Sequence, residues 1–118
     1  MAYALLVVEP VGQRQTRSEA EGRAVYDRMV KFSENLKARG LLTISQSLVA
    51  DTAGARVRSQ EGRSVVVDGP FAETKEQLAG FYLIEARDLN DAIQVASKIP
   101  PAREGSVEVR PVRELSAD

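Results

Sequence analysis

Two short runs in this sequence are apolar on both of their faces, and that restricts the available folds more than any single motif does. Residues 3 to 8 read Tyr3-Ala4-Leu5-Leu6-Val7-Val8, and residues 80 to 86 carry Phe81, Tyr82, Leu83 and Ile84. Side chains alternate across a strand, so Tyr3, Leu5 and Val7 on one side are matched by Ala4, Leu6 and Val8 on the other. A strand with one solvated side shows only one apolar face. Two double-sided strands in a two-layer domain leave an apolar patch uncovered. A second copy of the same sheet is the simplest cover, which predicts a homodimer through the sheet face. The alternative covers are the segment 55–67 or the tail 113–118.

The rest of the chain supplies the other elements. Glu9-Pro10-Val11-Gly12 ends the first strand in a turn. Thr16 and Ser18 each have a Glu three positions on, Glu19 and Glu21, so two overlapping capping boxes offer to start a helix. Val25, Met29, Phe32 and Leu36 then share one helical face as far as about Arg39, with Gly40 as the stop. From Leu41 to Val49 the chain alternates loosely, with Leu42, Ile44 and Leu48 apolar and Thr43, Ser45 and Ser47 polar. Residues 55–58 and 63–67 flank Gln60-Glu61-Gly62 as a hairpin. Asp68-Gly69-Pro70-Phe71 is a turn, and Gly80 to Ala86 is a strand. Asp88 caps a second helix whose Leu89, Ala92, Ile93, Ala96 and Ile99 share a face, and Pro100-Pro101 stops it. Ser106 to Val112 is the last strand. The order is strand, helix, strand, inserted β-hairpin, strand, helix, strand. Right-handed crossovers interleave two such units into one antiparallel sheet with both helices on one face, a ferredoxin-like βαββαβ α+β fold in a single domain over 1–118.

Charge and composition remove several functions. With Lys+Arg 16 against Asp+Glu 17 the chain has a net charge of -1, and its basic residues do not form a stripe, which argues against nucleic acid as a partner. There is neither His nor Cys, so zinc held by thiolate or imidazole, a Ser-His-Asp triad and a Cys nucleophile are excluded. No phosphate loop, dinucleotide fingerprint or calcium loop occurs, and the expectation is that no cofactor and no metal is used. No apolar run approaches the roughly 20 residues that span a bilayer, so a cytoplasmic protein away from membranes is expected.

Residues 65 to 84, Val65-Val66-Val67-Asp68-Gly69-Pro70-Phe71-Ala72-Glu73-Thr74-Lys75-Glu76-Gln77-Leu78-Ala79-Gly80-Phe81-Tyr82-Leu83-Ile84, closely resemble the DGPF-type branch of the YCII-related family. Gly105 to Val112 and Tyr3 to Val8 fit the same pattern. The resemblance implies a dimeric ferredoxin-like α+β barrel, in agreement with the strand patterns. Part of the family is held to use a His on the first helix with an Asp, and one relative removes chloride from a chlorinated hydroxyquinol. The equivalent helix position here falls near Met29, so that pair cannot be carried over. The resemblance also implies genes lying beside alternative sigma factors.

Among candidate site residues, Asp68 is an acid at a tightly specified turn, either capping backbone amides or transferring a proton. Glu73 and Lys75 sit on a charged loop that either is a solvated connection or reaches over a pocket. Tyr82 brings a hydroxyl to an apolar strand. Arg110, between Val109 and Pro111, is either an anion anchor paired with Asp68 or Glu108, or an edge-strand charge that discourages aggregation. One reading is a small-molecule-binding dimer for an aromatic or anionic metabolite with lyase- or isomerase-like chemistry. Asp68 or Glu73 then moves the proton, and Arg110, Tyr82 and Lys75 hold the ligand. The other is a regulatory or protein-interaction module partnering a sigma factor.

Overall fold

A computed structural model describes residues 1–69, 75–99 and 105–114 of the chain. These form β1 (Ala2–Pro10), α1 (Glu19–Ala38), β2 (Leu42–Ser47), β3 (Ala55–Gln60), β4 (Arg63–Asp68), β5 (Glu76–Glu85), α2 (Leu89–Ala96) and β6 (Ser106–Pro111). One antiparallel sheet has the strand order β2-β5-β1-β6, and β3 pairs with β4 as a separate hairpin. This is the expected ferredoxin-like α+β architecture.

Local signals explain most boundaries. Ser18 Oγ accepts from the Glu21 amide at 3.1 Å while Glu21 Oε1 accepts from the Ser18 amide at 3.4 Å, so the second of the two capping boxes starts α1. The first does not form, because the Thr16 hydroxyl donates to the Gln13 carbonyl at 2.6 Å within a 3-10 turn over Arg14–Thr16. Gly40 ends α1 at φ +71, with the Leu41 amide donating to the Leu36 carbonyl and the Gly40 amide to that of Lys37. The hairpin turns through Glu61 (φ 52) and Gly62 (φ 78), a two-residue loop with both dihedrals positive, which matches the twist of its strands. Asp88 Oδ1 caps α2 by accepting from the Asp91 amide at 2.8 Å. The Pro70-Phe71 and Pro100-Pro101 signals lie outside the described residues.

The core fills the space between one sheet face and the two helices. Tyr3, Leu5 and Val7 of β1 and Tyr82 and Ile84 of β5 meet Leu36 of α1 and Ala92, Val95 and Ala96 of α2, with Ile99 closing the end. Phe32 stands edge-on to Tyr82, ring centroids 5.6 Å apart. On α2 the buried stripe is Ala92, Val95, Ala96 and Ile99, whereas Leu89 and Ile93, expected to share it, are almost half exposed. Val95 falls at i+3 from Ala92, and this rotates the helix away from the face that the larger residues would define.

Two strands depart from the expected periodicity. β2 has a register shift between Leu42 and Ile44, so Leu42 pairs with Ile84, Ile44 with Leu83, Ser45 with Tyr82 and Ser47 with Gly80. Directly paired residues share a face, and the extra residue reverses the alternation. Ile44 therefore stands on the open sheet face, while Ser45 and Ser47 turn toward the helices. β5 begins at Glu76, earlier than expected, and has a matching irregularity at Ala79, where Val7 pairs with Gly80 but Val8 pairs with Leu78 and Glu9 with Gln77. The open face carries Ala4, Leu6, Val8, Phe81 and Leu83 half-buried, with Ile44 and Leu78 exposed. We expect Leu36→Ala to lower unfolding free energy by about 2–5 kcal/mol in urea titrations, because it empties a fully packed site. Leu89→Ala should change it by under about 0.5 kcal/mol.

Candidate functional site

β1 runs two residues beyond the apolar segment, and this extension creates the most unusual side-chain environment among the described residues. Period-two alternation places Glu9 on the same face as Tyr3, Leu5 and Val7, where it is only 7% exposed. A carboxylate withdrawn from water needs charged or hydrogen-bonding partners. Arg14, carried round by the turn after β1, gives its Nε to Glu9 Oε1 at 2.5 Å and its Nη2 to the Ala79 carbonyl at 3.3 Å. Gln77 Nε2 donates to the same Oε1 at 3.1 Å. Gln77 is itself buried, and its own Oε1 accepts from the Asp51 amide at 2.7 Å.

The irregularity at Ala79 makes this cluster. Without the extra residue, Gln77 would lie on the opposite face from Gly80, Tyr82 and Ile84, pointing away from Glu9. The β2 shift likewise delivers Ser45 and Ser47 to the same side. Gly80 permits β2 to approach, since a Cβ there would lie 2.6 Å from the Gln46 carbonyl oxygen.

Glu9 and Arg14 lie at a cleft of about 670 Å³ between α1 and the β1–β5–β2 side of the sheet. Val7, Val25, Met29, Val30 and Leu42 give it apolar walls, and Ser33, Ser45, Ser47 and Tyr82 add hydroxyls. Arg17 and Lys37 bring further positive charge. Burial pushes the Tyr82 phenol above its ordinary pKa, with a hydrogen bond from Ser33 acting in the opposite direction, so the hydroxyl keeps its proton at neutral pH. The arrangement combines a desolvated carboxylate that accepts hydrogen bonds, a guanidinium that compensates it, and a protonated phenol, all beside an apolar surface.

Of the site residues expected from sequence, Tyr82 lies in this cleft. Asp68 is exposed at the end of β4, opposite Ala55, and does not line it. Arg110 pairs with Ala4 on the open face of edge strand β6, the opposite side of the sheet from Tyr82, with its Nη1 3.8 Å from Glu108 Oε1. Asp68, Arg110 and Tyr82 therefore do not converge within one chain, because strand alternation separates the last two. Lys75 contributes its backbone, accepting from the Val11 amide at 3.0 Å, and its side chain does not line the cleft. Glu73 lies outside the described residues. Met29, where the family resemblance places a His, does line the cleft. Sequence reasoning missed Glu9, Arg14 and Gln77. The available signal was the alternation of Tyr3, Leu5, Val7 and Glu9, which continues onto the core face if the strand is not ended at Val8. Among the described residues no group of three or more acidic side chains is gathered as a metal site, and no helix is long and apolar enough to cross a membrane.

The buried phenol has a pH consequence. A folded-state pKa raised above the unfolded value of 10.0 means that the folded chain holds the Tyr82 proton more tightly. That contribution is complete below pH 10.0 and is lost as pH rises through the raised value. Urea midpoints measured from pH 9.0 to 11.5 (about one unit below to 1.5 above the ordinary tyrosine value) should fall more steeply for wild type than for Tyr82→Phe.

Comparison with known proteins places the chain in a family. The model of the YCII-related domain matches residues 1–116. An uncharacterised protein of Rhizobium meliloti (strain 1021) is 38% identical over 114 residues, covering 95% of this chain and 92% of that protein. Among solved structures, a 5-chloro-2-hydroxyhydroquinone dehydrochlorinase from Burkholderia phenoliruptrix AC1100, in complex with 2,5-dihydroxybenzoquinone, aligns with a TM-score of 0.59 over 100% of this chain and 99% of that one. At 13% identity that likeness speaks for the shared fold. With the family model spanning nearly every residue and a full-length relative at this identity, the chain belongs to the YCII-related family.

Proposed function

We propose that this protein binds a small hydroxylated aromatic or anionic molecule in the cleft between α1 and the sheet, and that it works as a homodimer joined through the open sheet face. The observation that carries the first half is the buried Glu9–Arg14 pair opening onto a cleft of about 670 Å³. Small-molecule sites typically occupy about 300–1,000 Å³, with apolar walls and a few placed polar groups. A carboxylate is acceptor-only, so the matching ligand presents an O–H or N–H to Glu9. Tyr82 supplies a hydroxyl along the same wall. The solved structure of similar fold holds 2,5-dihydroxybenzoquinone and is named as a dehydrochlorinase of a chlorinated hydroxyhydroquinone, which supports a small oxygenated ring as ligand and lyase-like chemistry. In the proton-transfer step of such a reaction the O–H bond of the ligand breaks, its proton passes to the Glu9 carboxylate, the negative charge moves to the ligand oxygen beside the Arg14 cation, and Tyr82 donates to that oxyanion. Glu9 thus takes the proton-transfer role that sequence reasoning gave to Asp68 or Glu73.

The second half rests on the open face, where Leu6, Val8, Phe81 and Leu83 are half-buried and Ile44 and Leu78 exposed. A protein-interaction role instead draws on the hairpin, whose paired Val57 and Val66 are 66% and 62% exposed.

Titration with hydroquinone, whose phenols keep their protons at neutral pH, followed by thermal shift and calorimetry, tests the ligand reading. Wild type should be stabilised, and Glu9→Gln and Tyr82→Phe should each weaken binding about tenfold, the scale of one lost hydrogen bond to a charged or buried group. Binding that is indifferent to both substitutions would overturn the reading. Light scattering should give twice the 12.9 kDa chain mass, and a monomer at micromolar concentration would remove the dimer.

A further inference from the structure

The Asp68-Gly69 turn that dominates the sequence lies apart from the cleft, yet backbone contacts connect it to the cleft carboxylate. We propose that Gly69 is a positioning residue for Glu9, acting through Asp51 and Gln77. This rests on the reading of the cleft as the ligand site.

Each link is short and directional. The Gly69 amide donates to the Gly54 carbonyl at 2.8 Å, and the Gly54 amide donates to the Asp51 carbonyl at 3.0 Å, closing a 3-10 turn over Asp51–Ala53. Gly69 packs directly on that turn. A Cβ at position 69 would collide with the Asp51 carbonyl oxygen and meet the Gly54 carbonyl oxygen at 3.3 Å, and both obstacles are backbone that has no rotamer to change. Gly69 is required here for close approach, since its φ is not in the left-handed region. With its carbonyl held from one side, Asp51 aims its amide at Gln77 Oε1 at 2.7 Å. That bond fixes which end of the Gln77 amide faces Glu9, so that Nε2 donates to Glu9 Oε1 at 3.1 Å. Asp51 serves through its backbone, since its side-chain Oδ2 is buried with no hydrogen-bond partner among the described residues.

The relay accounts for three otherwise unrelated features: a glycine where no side chain fits, a buried glutamine, and a strand irregularity that turns that glutamine toward Glu9. Loss of the Asp51 amide frees the Gln77 side chain to flip. A flipped Gln77 presents an oxygen to the Glu9 carboxylate and repels it.

Amide exchange by NMR on the full chain tests the relay without any ligand. In Gly69→Ala, the Asp51 amide and the Gln77 side-chain amide should exchange about tenfold faster, while the Leu5 and Ile84 amides keep their wild-type protection. Unchanged Asp51 protection would overturn the proposal, and so would uniform loss at all four sites. If Gly69→Ala does not fold, native-state exchange on wild type decides instead: the Asp51, Gly54 and Gly69 amides should open as one unit, and independent openings would overturn it. A double-mutant cycle of Gly69→Ala with Gln77→Leu, read as hydroquinone affinity, should be non-additive, the double variant binding like Gln77→Leu alone. Additive losses would place Gly69 outside the relay. If wild type does not bind that probe, the ligand reading fails while the exchange data still decide the relay.

Discussion

A carboxylate taken out of water is stable only if its neighbours replace the water, and the burial of Glu9 at the end of the central strand imposes that demand on the structure around it. Arg14 answers the charge and Gln77 answers with a neutral donor, both on Oε1. Breaking such a pair by removing one partner costs about 3–5 kcal/mol, because the other is left uncompensated. The turn after β1 must therefore bring Arg14 back over the strand. β5 must also present Gln77 on the helix-facing side, and a regular strand could not do so. An isolated apolar side chain at position 9 would have imposed none of this.

The two strand irregularities belong to the same design. Each inserts one residue and reverses alternation beyond it, so an apolar residue goes to the open face and polar ones come to the helix-facing side. In β2 the exchange is Ile44 outward and Ser45 and Ser47 inward. In β5 it is Leu78 outward and Gln77 inward. The cleft gains hydrogen-bonding groups and the open face gains hydrophobic area, so the proposed ligand site and the proposed dimer face derive from the same two backbone events. Helix α1 completes the arrangement. It packs through Phe32 and Leu36 near its end, while Val25, Met29 and Ser33 border open space. The lack of histidine takes on a definite place in this geometry, because Met29 occupies the cleft wall and the buried acid at the cleft is Glu9.

Some of this was legible in the sequence because it depends on short-range chemistry. The capping box at Ser18, the glycine stop at Gly40, the two-residue turn at Glu61-Gly62 and the Asp88 cap are each settled by residues within a few positions of one another. The apolar double-sidedness of β1 and β5 marked a sheet face in need of a cover, and the strand order then put the two at the centre. The element order then left the ferredoxin-like arrangement as the solution that crossover handedness allows. Tyr82, which lines the cleft, could be named as a candidate because an apolar strand carrying a hydroxyl is visible in one dimension.

The rest was decided across the sheet. Whether Ser45 faces the helices or the open side depends on which β5 residue it pairs with, and whether Gln77 meets Glu9 depends on an extra residue at Ala79 that no local propensity marks. Arg110 and Tyr82 look equally available in the sequence, yet they stand on opposite faces because their strands pair through β1. Composition and periodicity determined the class of fold, the apolar sheet and the chemistries excluded by the missing His and Cys. Register, a long-range property of backbone pairing, determined which polar groups share the helix-facing side, and so placed the candidate chemistry at Glu9 and Arg14, with Gln77 bonded to Glu9, instead of at the Asp68 turn.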